Sequence, residues 1–355
     1  MKVNNNNTEF YLVNDLRSIA KEFWEKKEYE NLSLQIQKLI PFGWDDIKKK
    51  DKQKPKPRYS AFGYDIRLSD KALAEYKIFY KLQELLWKSK FQEYRINPDK
   101  FLEDLKLETK SRLVIGLGDE SVYETSIRLH RNYGIPYIPG PALKGVAKHY
   151  SIYKMVESNY SKLKEKLKKD DFLELAGEVQ KLLENPNDED VKDYNNLEFK
   201  LDNNEISLND LRKIFGTQGR EGSIIFFDAF PTPDQLKNKQ ILELDIMNPH
   251  YQPYYQHGEV PGDWHDPNPI FFLTVPAGIE FQFALALRDG KQDLLKKAKN
   301  LLIEALKNHG VGAKTSLGYG RFRQSRATSS SQSSELDSII IRGRLNDEHK
   351  YFSVS

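Results

Sequence analysis

An α+β domain is predicted for the central part of this chain, on three observations. Ile279, Phe281, Phe283, Leu285 and Leu287 alternate with Glu280, Gln282, Ala284 and Ala286, the period of two expected of a half-covered strand. Leu294, Leu295, Ala298, Leu301, Leu302, Ala305 and Leu306 then recur at helical spacing, and His309-Gly310 supplies a C-terminal stop. Between that helix and a closing strand lies Gly310-Val311-Gly312-Ala313-Lys314-Thr315-Ser316-Leu317-Gly318-Tyr319-Gly320-Arg321-Phe322, where glycines are interleaved with apolar residues, a lysine and two hydroxyls.

Residues 1–107 predict a mainly helical N-terminal extension. Leu12, Leu16, Ile19, Phe23 and Trp24 recur at near-helical steps within Phe10 to Leu39, and Leu73, Tyr76, Phe79, Leu82 and Leu86 form a second amphipathic stripe. Between them, residues 48–58 are too rich in lysine and proline for a helix or a buried strand. They read as a solvated loop, or as a basic arm drawn to phosphates. Ser111 to Leu117 and Tyr123 to Leu129 predict strands. Pro141 opens a helix whose buried stripe is Leu143, Val146, Ala147 and Tyr150. Residues from 156 to about 212 read as a charged, helical insertion, with an acidic, Asn-rich linker from Asn185 to Asn196. Ile214-Phe215-Gly216-Thr217-Gln218-Gly219-Arg220-Glu221-Gly222 is a glycine-broken turn feeding the apolar strand Ser223 to Phe230, and Leu242 to Met247 is a further short strand. Arg321-Phe322-Arg323 closes the unit, and residues 324–355 are a Ser-rich linker and a tail that could end in a hairpin.

The resulting order is strand, helix, strand, strand, helix, strand. That is the split βαβ, or ferredoxin-like, arrangement: an antiparallel sheet with two helices on one face. Its uncovered face is expected to be free for another chain or for RNA, as in RNA-recognition-motif (RRM-like) sheets.

A net charge of +3 over 355 residues does not announce a polyanion binder, so local clusters must carry any such role. The absence of cysteine excludes disulfides, thiolate zinc sites and thiol nucleophiles. No window approaches the ~18 apolar residues of a membrane span, and the Asn-rich N-terminus lacks the core of a signal peptide, so a cytoplasmic protein is expected.

Chemically, the stretch from Gly310 suggests a phosphate-touching loop, because glycines let a ligand approach bare N–H groups and Lys314 adds charge. It is not a Walker loop, since Lys314-Thr315 follows Ala313 and no helix follows; nor is it a dinucleotide fingerprint, since Thr315 stands at the third glycine position. A tight turn closing a helix onto a sheet edge is the competing reading. Lys144 and Lys148, four apart, are expected to share an outward helix face, with ordinary solubility as the alternative.

Three stretches together resemble the RAMP superfamily of CRISPR effectors. They are Tyr137-Ile138-Pro139-Gly140-Pro141-Ala142-Leu143-Lys144-Gly145, Ile214-Phe215-Gly216 leading to Phe227-Asp228-Ala229, and Gly310 to Phe322. Two further runs, Asp245 to Tyr251 and Pro269 to Val275, are similar to the sixth-RAMP-subunit family of the type III-B (Cmr) complex. The resemblance covers roughly residues 108–323, and not the N-terminal hundred residues or the tail. It implies a cofactor-free, non-catalytic RNA-binding subunit of an antiviral-defence ribonucleoprotein, at the end holding the 3′ part of the CRISPR RNA (crRNA). Through the crRNA it would meet target RNA; neighbouring RAMP subunits would be its protein partners and carry out cleavage. On this sequence the implied RNA-binding residues are Lys144 and Lys148 on the first helix and Gly310, Gly312, Lys314, Thr315, Gly318, Gly320 and Arg321 in the loop, with Arg220 as a third candidate.

Two alternatives stand beside it. His250, His257, Asp263, His265 and Asp266 crowd one loop with metal-ligand chemistry, which would suit a metal-dependent ribonuclease, though Pro/Gly loops also collect such residues as turn-formers. His130 is a possible general base with no partner that sequence can place. A purely structural assembly subunit would also explain the apolar loops.

Overall fold

The computed structural model describes residues 66–90, 101–121, 125–185, 197–248 and 269–325, apart from positions 103, 203 and 238, together with short pieces elsewhere. In chain order the elements are α1 (Asp70–Ser89), β1 (Lys106–Thr109), α2 (Gly140–Leu167), α3 (Phe172–Glu184), β2 (Glu198–Leu201), β3 (Asn204–Ser207) and α4 (Leu208–Phe215). There follow β4 (Gly216–Thr217), β5 (Arg220–Glu221), β6 (Ile224–Phe226), β7 (Phe230–Pro231), β8 (Glu243–Met247), β9 (Ile270–Thr274), β10 (Glu280–Gln282), β11 (Leu285–Leu287), α5 (Gln292–Asn308) and β12 (Phe322–Gln324). The fold is mixed α+β. The central sheet is antiparallel, in the order β7-β10-β1-β12, with register Phe281↔Leu107 and Phe322↔Thr109. No helix among the described residues is long and apolar enough to cross a membrane.

The first core strand is β1 rather than the expected Ser111 to Leu117. The backbone of that run is engaged elsewhere: Gly320 N–H donates to the Arg112 carbonyl at 2.8 Å and Ala313 N–H to the Val114 carbonyl at 2.8 Å, while Leu113 bridges Val275. In the run ending at Leu129, Leu129 bridges Pro136 and no strand forms among the described residues. The Ser223 to Phe230 strand is split, β6 pairing with β11 and β7 with β10. The break falls at Asp228, whose carboxylate accepts from Gly140 N–H at 2.7 Å, at the start of α2. A carboxylate there answers the positive end of the helix. Gly140 is itself required: a Cβ would sit 2.2 Å from the Phe226 carbonyl oxygen.

The two faces of the sheet differ. Leu107, Phe281 and Phe322 are buried on one, the last two rings meeting edge-on at 5.9 Å, and α2 and α5 pack together beside the strands. The other face carries a cross-strand row, Glu280↔Glu108↔Arg323. Thr232 Oγ1 donates to Glu280 at 2.9 Å, Ser325 Oγ donates to its other oxygen, and Arg323 Nε donates to Glu108. At 5% and 7% exposure these carboxylates are covered. The expectation of an uncovered, RNA-ready sheet face is therefore corrected. Two carboxylates repel phosphate, and stacking platforms need aromatic side chains where this row has none. The simple alternation from Ile279 to Leu287 also fails, because Glu280, Gln282, Ala284 and Ala286 are buried as well.

Within residues 1–107, α1 is helical as expected, and Leu73 and Tyr76 of its stripe are buried, but Leu82 and Leu86 are exposed. Val3–Asn5, Thr8–Tyr11 and Phe42–Gly43 are strands rather than helix. The basic run 48–58 lies outside the described residues.

Candidate nucleic-acid interface

The glycine-rich loop is built as a backbone clasp. Gly310, Gly312, Gly318 and Gly320 all have positive φ, between 70° and 96°, which L-residues adopt only under strain. Three of the four are also hemmed in by backbone. A Cβ would lie 2.9 Å from the Gly320 oxygen at Gly310, 2.1 Å from the Val114 oxygen at Gly312 and 1.9 Å from the Val311 oxygen at Gly320. At Gly318 nothing lies within 4 Å. These positions explain the motif as a tight turn holding α5 to the sheet edge. The free tip is Thr315–Leu317, a single 3-10 turn entered by Lys314 at φ 59°. No acceptor among the described residues takes the N–H of Thr315 or Ser316.

A polar clamp holds this tip. Arg112 Nε donates to Glu243 at 2.5 Å and its Nη1 to Asp245 at 3.1 Å, Tyr319 OH donates to Asp245 at 2.6 Å, and Ser111 Oγ donates to the Gly318 carbonyl at 2.6 Å. Burial and the Asp245 hydrogen bond hold the Tyr319 phenol above its usual pKa. Lys314 Nζ lies 5.2 Å from the centre of the Phe272 ring, a cation–π distance. Arg321 is turned away from it, its guanidinium 3.5 Å from the Lys307 carbonyl at the end of α5. The two cations of the loop thus serve different corners.

Lys144 and Arg220 do come together. With Arg288, Phe215, Ile224 and the β4–β5 hairpin they line a cavity of about 450 Å³. Burial, then the charges of Lys148 and Arg288, lower the Lys144 pKa, so an anion entering would relieve an existing strain. The arginines are partly balanced already: Arg288 pairs with Glu221, and Arg220 lies 3.5 Å from Asp289. Lys148 departs from the expected outward face. It donates to Glu184 on α3 at 2.7 Å, because α3 packs along α2 there.

Residues 106–323 match the family model of the RAMP superfamily. The chain belongs to the RAMP superfamily. The Cmr subunit Cmr6 of the Pyrococcus furiosus CRISPR system is 49% identical over 229 residues, covering 61% of this chain and 66% of that relative, just short of two thirds of its length. The crystal structure of Cmr6 from the same organism shares 46% identity and covers 61% of this chain and 94% of that one, with a TM-score of 0.43. A cryo-EM structure of a type III-B Cmr-beta complex bound to cognate target RNA shares 19% identity over 73% of this chain and 66% of the matched chain, with a TM-score of 0.41. Both TM-scores fall below 0.5, so the kinship rests on sequence. The RAMP match spans all three superfamily stretches quoted above, and the Cmr6 similarity agrees with the narrower resemblance to the sixth-subunit family.

Several neighbours of these RAMP motifs were not singled out from sequence: Arg112 and Tyr319, which the clamp brings to the loop, and Arg288, which lines the cavity. Asp245 stood in a quoted run, but nothing local signals its clamp, which joins residues 133 apart in sequence. His130 sits in an aromatic pocket, 5.0 Å from Phe79 and 5.2 Å from Tyr133, and burial lowers its pKa although Asp228 opposes this. His250, His257, Asp263, His265 and Asp266 lie outside the described residues, among which no group of three metal-ligating side chains occurs.

Proposed function

We propose that this RAMP protein is a non-catalytic, crRNA-binding subunit of a type III-B CRISPR ribonucleoprotein. It caps the 3′ region of the guide and meets target RNA through it, beside other RAMP subunits. The observation that carries the reading is the 49% identity to a Cmr-complex subunit across the RAMP core. The strand order β7-β10-β1-β12, second-third-first-fourth in the split βαβ unit, supports the finer ferredoxin-like assignment. The cavity shared by Lys144, Arg220 and Arg288, and the tip at half-buried Lys314 and Thr315 and exposed Ser316, supply cationic and bare-backbone surface for phosphates.

Purification from the native host, with sequencing of any bound RNA, tests it directly. Recovery of guide RNA together with Cmr subunits is expected; a protein free of both would overturn the reading. In vitro, log affinity for single-stranded RNA should fall with log salt by about 0.7 per phosphate contact, so Lys144→Ala with Lys314→Ala should flatten the slope by about 1.4. Labelled RNA incubated with the protein and Mg²⁺ or Mn²⁺ should remain intact, and cleavage would remove the non-catalytic part. A structural subunit without RNA contacts is favoured by the backbone-locked glycines and by the Lys148–Glu184 pair. Crosslinks from guide RNA into residues 310–323 of the assembled complex would exclude it.

A further inference from the structure

We propose that the corner where α2 passes the end of α5 is a stacking subsite for one unpaired RNA base. Tyr153 and His149 offer the ring faces, Arg321 takes the adjoining phosphate, and Gly145 lets the strand lie close to the helix. This rests on the RNA-binding reading above and names where a base is held.

Gly145, His149 and Tyr153 are spaced four apart, so they form one ridge along α2, and all three are exposed. The C-cap of α5 is His309, whose ring lies 5.5 Å from His149 and 5.3 Å from Tyr153, meeting the latter nearly edge-on at 79°. Tyr150 backs His309 from below at 5.0 Å, and Phe172 flanks Tyr153 at 4.9 Å. The rings are held by their neighbours, yet Tyr153 remains 39% exposed. Pre-set, solvent-facing rings of this kind suit sequence-tolerant base stacking.

Gly145 is the second, independent observation. A helix-interior glycine destabilises by about 1 kcal/mol relative to alanine. A Cβ at Gly145 would meet nothing within 4 Å, so no contact among the described residues requires the glycine. Close approach by something outside the chain would.

The charge has the right sign. Burial, and then the charges of His149, Arg321 and Lys154, hold His309 below the usual histidine pKa, so both Arg321 and Lys154 are felt at this corner. The nearby carboxylates are each tied to a lysine, Glu157 to Lys154 at 2.6 Å and Glu304 to Lys307 at 2.9 Å. Two imidazoles without a third ligand among the described residues make a poor divalent-ion site.

The test uses the full-length chain and an unpaired oligoribonucleotide carrying 2-aminopurine, whose fluorescence is quenched on stacking. Wild type should quench it. Tyr153→Ala should weaken binding about tenfold and lose the quenching, within the range for one stacked base, while Tyr153→Phe should stay within about twofold of wild type. Gly145→Leu should weaken binding at least as much without lowering the urea midpoint, which a packing role for Gly145 would not produce. If Tyr153→Ala and Gly145→Leu bind like wild type while Lys144→Ala still flattens the salt slope, the subsite is wrong and the RNA reading stands. If wild type binds no RNA alone or in the assembled complex, both fall. Crosslinking of Tyr153 to another protein subunit in place of RNA also overturns the subsite.

Discussion

The two glycine-rich turns of this protein look alike in sequence and differ in what they do. In the loop from Gly310 to Arg321, three glycines are fixed by close backbone approach, and the two cations diverge toward Phe272 and the end of α5. In the β4–β5 hairpin the outer glycines are fixed in the same way. A Cβ at Gly216 would lie 2.6 Å from the Arg220 oxygen, and one at Gly222 would lie 2.4 Å from the Ile214 oxygen. Yet there Arg220 converges with Lys144 and Arg288 on one cavity. A glycine count marks neither site. What separates a glycine the fold needs from one a ligand can use is its φ together with the space beyond its Cα. The space is closed at Gly320 and Gly216 and open at Gly219 and Gly145, while Gly318, open as well, is still required by its φ of 91°.

The largest effect that would break this distinction is expected from Gly320→Ala. At φ 70° with a carbonyl 1.9 Å from the new Cβ, the substitution should cost about 3 kcal/mol or more in urea denaturation, from backbone strain plus a clash that neither segment can relieve. Gly219→Ala should stay within about 0.5 kcal/mol of wild type. Equal costs for the two would end the comparison. Next is Asp245→Ala, which frees Tyr319 and half of the Arg112 fork. Because Arg112 is 47% exposed, the loss should be only about 1–2 kcal/mol. The clamp holds the tip and not the base of the loop, so amide exchange should quicken from Leu317 to Tyr319, whose N–H groups are bonded within the turn, and not at Val311. Uniform quickening would mean that the loop has no rigid base.

How much of this was legible in the sequence follows from the range of the interactions. The α5 stripe and its stop at His309-Gly310 are local periodicities, and the helix from Gln292 to Asn308 is where they place it. The first strand was misplaced because Arg112 and Val114 give their carbonyls to the glycine loop about 200 residues later, which no local propensity encodes. The polar sheet face was missed for a related reason. Glu280 reads as the outward residue of an alternating strand until Thr232 and Ser325 arrive from other segments to satisfy it. Among the candidate site residues, Lys144 and Arg220 stand in motifs visible in the sequence, but their common cavity and the ion pair of Lys148 depend on how α3 and the hairpin pack against α2.

A smaller effect is expected at His309, at the entrance of the loop. Burial, with the charges of His149, Arg321 and Lys154, lowers its pKa, so between the folded value and the unfolded value near 6.5 the unfolded chain binds more protons. Its contribution to stability is therefore full above about pH 6.5 and is lost as pH falls through the folded pKa. An NMR titration should place His309 below the usual histidine value. RNA phosphates beside Arg321 would favour the imidazolium and move the value up. No movement on saturating with RNA would assign Arg321 to the clasp and leave the hairpin as the phosphate site.

The smallest effect on stability belongs to Arg220→Ala. Its partner Asp289 is 3.5 Å away and both side chains are more than half exposed, so the pair contributes at most about 1 kcal/mol. Binding should respond differently. Removing Arg220 takes one cation from the cavity and leaves Asp289 unanswered near its mouth, so the salt dependence of RNA affinity should fall by about 0.7 in slope for one lost phosphate contact. Asp289→Asn should act in the opposite direction, freeing Arg220 for phosphate and raising affinity at low salt. If both variants shift stability but leave the salt slope unchanged, the hairpin is a structural turn like the base of the Gly310 loop. The two glycine-rich segments would then do the same job.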